Sequence, residues 1–156
     1  MLFRSILALL VEVLAEEFGI DVCPLGSTTF KRAALLKDFE PDSAFYIGRS
    51  SAFWGRDVDP AADPPPDLTI EVDVSSPSLD RFPIFAAFGV TEVWRYDGSR
   101  VAFFRLEGGR YVEAETSRAL PPLTGAIATR FLEESRDTRI TEWLRRVREW
   151  ARNQRD

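Results

Sequence analysis

Apolar residues recur at helical spacing from the start of the chain. Phe3, Ile6, Leu7, Leu10, Val13, Leu14 and Phe18 fall on one face of a helix predicted over residues 2–18, with Gly19 ending it. Gly26-Ser27-Thr28-Thr29 is a turn, and Pro41 to Ile47 reads as a short strand bounded by Gly48. Residues 55–66 carry Pro60, Pro64, Pro65 and Pro66, so they form an extended loop and not a helix. Residues 67–74 alternate with period two and predict a strand. Asp80 then caps a helix that holds Pro83 in its first turn and ends near Gly89. Val90 to Tyr96 is the next strand, and Asp97-Gly98 turns it into a hairpin partner over Val101 to Leu106. Gly108-Gly109 turns again into Tyr111-Val112-Glu113. A short helix is predicted over residues 128–135. A longer one spans 139–153, with Ile140, Trp143, Leu144, Val147 and Trp150 on its packed face. The order of elements predicts an α/β (α+β) fold.

Composition narrows the class. At 156 residues, 45% apolar and 29% charged, the chain fits one domain over residues 1–156 with its own core. The lone Cys23 excludes an intramolecular disulfide and any zinc site built on cysteines, and the lack of His excludes histidine relays. The apolar run Ile6 to Val11 is followed by Glu12, Glu16 and Glu17 without a cleavage site, so a cytoplasmic protein that does not span a membrane is expected.

The charge of −5 is unevenly spread. Residues 1–80 hold 6 basic and 14 acidic groups, net −8, and residues 81–156 hold 14 and 11, net +3. All 14 of those basic residues are Arg. Arginine suits bidentate phosphate contacts, and it also replaces Lys wholesale in GC-rich genomes.

The strand over 67–74 is where charge and period meet. Leu68, Ile70, Val72 and Val74 share one face, and Asp67, Thr69, Glu71 and Asp73 the other. Same-face neighbours stand roughly 6.5–7 Å apart at Cα, close enough for Glu71 and Asp73 to lean onto one hard cation. A solvated acidic face is the plain alternative. Against it, acidic residues are poor strand formers, and a βαβ unit over residues 67–96 buries both faces of its strands. Asp42, at the start of the earlier strand, supplies another carboxylate.

Three segments together carry a resemblance to a known family. They are Glu40-Pro41-Asp42-Ser43-Ala44-Phe45-Tyr46-Ile47, the run from Pro65-Pro66-Asp67 through Glu71-Val72-Asp73 to Asp80-Arg81, and Gly89-Val90-Thr91-Glu92-Val93-Trp94-Arg95-Tyr96-Asp97. They resemble the Uma-two family of restriction endonucleases, over about residues 3 to 150. The resemblance implies a PD-(D/E)XK core, a restriction-endonuclease-like fold in which a mixed central sheet flanked by helices binds Mg²⁺ (or Mn²⁺) and cleaves DNA. It matches Asp42 to the Asp of the PD element and Glu71 to the acidic residue of (D/E)XK. The Lys expected two residues later is Asp73 here, and where many relatives carry a Lys in the following helix this chain has Arg81.

On this reading Asp42, Glu71 and Asp73 are metal ligands and Arg81 steadies phosphate or developing charge. Arg81 cannot be a general base, since guanidinium keeps its proton. Its plain alternative is an ion pair with Asp80 or the acidic strand. Lys31 and Lys37 are spatial candidates for the missing Lys. Relatives carry some tens of residues before the first helix, so a short subfamily or an edge completed by another subunit is expected, and with it a homo-oligomer (dimer). The competing expectation is a catalytically silent scaffold that binds partners or nucleic acid.

Trp54, Trp94, Trp143 and Trp150 invite base stacking, but core packing suits them better. Arg145, Arg146, Arg148, Arg152 and Arg155 on the last helix either track phosphates or form a solvated basic face.

Overall fold

The first helix, α1 (Leu2–Phe18), has the predicted bounds, and Gly19 leaves it at φ 68°. Its face is wide: Leu7, Leu10, Val11, Leu14 and Ala15 are fully buried. In chain order there follow β1 (Val22–Gly26), β2 (Phe30–Arg32), β3 (Lys37–Phe39), β4 (Ser43–Ile47), β5 (Leu68–Val72), α2 (Phe82–Phe88), β6 (Glu92–Tyr96), β7 (Val101–Glu107), β8 (Arg110–Ala114), α3 (Gly125–Glu134) and α4 (Ile140–Gln154). This computed structural model describes residues 2–26, 30–32, 37–39, 41–48, 58–59, 62–74 and 81–154. Six strands form one mixed sheet in the order β1-β4-β5-β6-β7-β8, and β2 and β3 make a separate antiparallel pair. Among the described strands only β5 and β6 run parallel in the sheet, joined through α2 as the strand-helix-strand pattern requires.

The alternation in β5 divides two cores. Leu68 and Ile70 join Trp94, Tyr96 and Phe103 beneath α1, α3 and α4, among Leu10, Leu14, Phe131 and Trp143. Thr69 and Glu71 face the opposite way, toward the smaller cluster of Phe85, Phe88, Val90 and Val93 under α2. The sheet is therefore covered on both faces at the strand that carries the acidic residues.

Several expectations change. β5 is shorter than predicted, so Asp67 and Asp73 flank the strand and only Glu71 lies within it. α2 begins with Arg81 as N-cap, without a side-chain cap bond, and Asp80 lies outside the described residues. Pro83 does sit in the first turn, and Gly89 closes the helix at φ 86°. Strands β1, β2 and β3 were not foreseen, because three-residue strands and a strand holding Pro24 show no usable period. α3 starts at Gly125, ahead of residue 128, because Thr124 caps it by accepting from the Ile127 N–H at 3.2 Å. Ile140 is 46% exposed at the first turn of α4 and does not join the packed face. Trp94 and Trp143 are core residues, and Trp54 lies outside the described residues. No helix among the described residues is long and apolar enough to cross a membrane.

Candidate active site

The β4–β5 register pairs Phe45 with Leu68, Ala44 with Thr69 and Ser43 with Ile70. Continued by one step, it sets Asp42 across from Glu71, and cross-strand neighbours have Cβ atoms about 4.5–5.5 Å apart. The ladder ends there because a side chain takes the next amide: Asp42 Oδ2 accepts the Val72 N–H at 2.7 Å. The other oxygen, Oδ1, is 3.5 Å from Arg4 Nη1 of α1.

Glu71 is 8% exposed. Its Oε2 lies 3.6 Å from Arg81 Nη1, and its Oε1 is buried without a hydrogen-bond partner among the described residues. Burial, the first cause, pushes this carboxyl up to about 7. The negative charges of Asp42 and Asp73 push the same way, and Arg81 and the Asp42 backbone oppose them.

Asp73 is engaged elsewhere. Its Oδ2 accepts from Arg95 Nη2 at 2.6 Å, and its N–H donates to the Tyr96 carbonyl at 2.8 Å. Arg95 stands opposite Glu71 in the parallel register and packs over the Phe82 ring, 5.6 Å from its centroid. Asp67 is structural, with Oδ2 accepting the Ile47 N–H at 2.8 Å.

The structure thus brings Asp42, Glu71 and Arg81 together and turns Asp73 onto Arg95. Each carboxylate has an arginine from a different element: Arg4 for Asp42, Arg81 for Glu71, Arg95 for Asp73. Sequence reasoning missed Arg4 and gave Arg95 no role, since each meets its carboxylate only through tertiary register. The side chains of Lys31 and Lys37 lie outside the described residues. Among the described residues no three acidic, His or Cys side chains stand together as a metal-holding group.

The donor set of Asp42 and Glu71 nevertheless fits a hard divalent cation. Two carboxylates with water elsewhere is the shell that Mg²⁺ favours, and a buried unpartnered carboxylate oxygen beside a second negative charge is costly without a cation.

The family model of Uma2, described as "Putative restriction endonuclease", matches residues 3–136. Among solved structures the chain is similar to a protein from Anabaena variabilis described as a "putative nuclease belonging to DUF820", at 15% identity and a TM-score of 0.49. That match covers 92% of this chain and 83% of the other. No curated protein matches the chain.

Proposed function

Since the chain belongs to the Uma2 family, we propose that it is a Mg²⁺- or Mn²⁺-dependent endonuclease that hydrolyses phosphodiester bonds in DNA, with Asp42 and Glu71 as the metal ligands. The observation that carries this reading is the Glu71 carboxylate, buried across from Asp42 with one oxygen unpartnered among the described residues. A divalent cation supplies Lewis-acid polarisation of the phosphodiester and an acidified water at such a site.

The remaining work falls to the chain's own residues. Asp42 is fixed by the Val72 amide, so its free lone pairs are aimed without a rotamer search. Arg81, 43% exposed at the start of α2, reaches both Glu71 and solvent and can hold a phosphate oxygen beside the carboxylates. Asp73, held by Arg95, adds negative charge next to Glu71 from outside the ligand pair.

Cleavage of supercoiled plasmid by the purified chain, in EDTA and then with Mg²⁺ or Mn²⁺, tests the proposal. Nicking is expected only with metal, and Glu71→Ala and Asp42→Ala each abolish it, while Asp73→Ala keeps part of it. Plasmid that is bound but never nicked under either metal points to a silent scaffold. Cleavage that survives Glu71→Ala places the chemistry elsewhere.

A further inference from the structure

Two sets of arginines lie on this surface, and their partners differ. On α4, Arg145 is 2.8 Å from Glu142, Arg148 bonds both Glu16 and Glu17 at 2.6 and 2.8 Å, and Arg152 bonds Glu17 at 3.1 Å. That basic face is neutralised by carboxylates of α1 and of α4 itself. The second set stands at the C-terminal end of the parallel pair β5–β6, Arg4, Arg81 and Arg95 on the carboxylates and Arg136 on Tyr96. Arg81 and Arg95 come from the α2 side, and Arg4 and Arg136 from the α1 side.

Arg136 is exposed. Its guanidinium lies over the Phe3 ring at 4.8 Å and donates to Tyr96 Oη at 3.1 Å, and among the described residues it has no carboxylate partner. Phe3 in turn packs on Tyr96 at 5.1 Å, and its chain neighbour Arg4 meets Asp42. Arg4 is 43% exposed and lies 3.5 Å from Asp42, a long ion pair open to solvent on its arginine side. A phosphate offers guanidinium a bidentate, charge-assisted contact and displaces such a pair readily.

The geometry points to this sheet end as the track for a nucleic-acid backbone, with Arg4 and Arg136 gripping phosphates next to the scissile one and α4 taking no part. The inference rests on the nuclease reading above, and it adds which surface meets the substrate. A chain of net charge −5 repels nucleic acid in general, so attachment depends on such a local basic edge. The strand crosses the carboxylate pair from the arginines under α2 to the arginines beside α1.

Binding of the full chain to a fluorescently labelled DNA duplex, in EDTA and over a salt series, tests this. Arg4→Gln should lower the slope of log K against log salt by about one. Arg4→Gln with Arg136→Met, which keeps a side chain over Phe3, should lower it by about two and weaken binding by about tenfold or more. Arg145→Ala with Arg146→Ala on α4 should leave both unchanged. An unchanged slope in Arg4→Gln, a larger loss in the α4 pair, or no binding by the wild-type chain overturns the proposal. Should the double variant not fold, the single Arg4→Gln slope decides. Stabilisation by Mg²⁺ in the same proteins reads the carboxylate site separately: retained in Arg4→Gln, it shows that a lost slope comes from the track. Mg²⁺ without effect on a wild-type chain whose slope still depends on Arg4 sinks the cation site and keeps the track.

Discussion

Glu71→Gln will stabilise the metal-free protein at pH 8 by about 2 kcal/mol, a gain at a position where substitution usually costs stability. The carboxyl of Glu71 titrates near 4.5 in the unfolded chain and is raised to about 7 in the fold, by burial first and then by Asp42. Below about pH 4.5 it is neutral in both states and costs nothing. Between 4.5 and about 7 the unfolded chain releases the proton while the folded chain retains it, so folding stability falls as pH rises. Above about 7 the full cost persists, of order 3 kcal/mol at about 1.4 kcal/mol per pH unit. Glutamine has no charge to desolvate, but its amide has no partner at the place where Oε1 already lacks one, which takes back about 1 kcal/mol. Urea denaturation in EDTA from pH 5 to pH 9 checks this. The wild-type curve should decline over that interval and the variant's should stay flat, crossing above it. A variant no more stable than wild type at pH 8 would show that Glu71 is comfortable as a bare carboxylate.

Glu92→Gln should destabilise the protein by about 3 kcal/mol, lowering Tm by roughly 10 °C. Glu92 is 2% exposed and accepts three hydrogen bonds: from Trp94 Nε1 at 2.8 Å and Ser117 Oγ at 2.7 Å onto Oε2, and from the Ala119 N–H at 2.9 Å onto Oε1. Through these it ties the segment between β8 and α3 to the middle of the sheet. An amide in its place turns one acceptor into a donor facing a donor, and leaves a buried N–H or O–H unpaired whichever way it is oriented. Thermal denaturation with circular dichroism measures the loss. A change within about 0.5 kcal/mol would mean that the pocket admits water.

Glu92 also shows where reading from sequence stops. An acidic residue in an alternating strand looks like a solvent-facing position, and its three donors come from residues 2, 25 and 27 positions away, two of them across a loop whose path no local pattern fixes. The same holds around the acidic strand. Its alternation and the Asp42-to-Glu71 pairing were legible, the first from period two and the second from the family resemblance. The fate of Asp73 was not, because Arg95 meets it only once α2 sets β6 parallel to β5. Arg4 reaches Asp42 across 38 residues. The hairpin at Asp97-Gly98 was legible for a local reason: Gly98 takes φ 96°, and Asp97 Oδ1 accepts the Ser99 and Arg100 N–H groups. Ile140 misled because its apolar side chain fits the helical period while standing in the first turn, short of the core.

The claim that Asp42 and Glu71 form a divalent-cation site is tested most directly by thermal denaturation in EDTA and in Mg²⁺ or Mn²⁺, for wild type and Glu71→Gln, at pH 8 and at pH 5.5. Metal should raise the Tm of the wild-type chain at pH 8, by the equivalent of about 3 kcal/mol at a hundredfold excess over Kd. It should do much less at pH 5.5, where a carboxyl raised to about 7 still holds its proton and competes with the metal. Metal should have no effect on Glu71→Gln at either pH. An unchanged wild-type Tm at pH 8, or an equal shift in Glu71→Gln, would contradict the cation site.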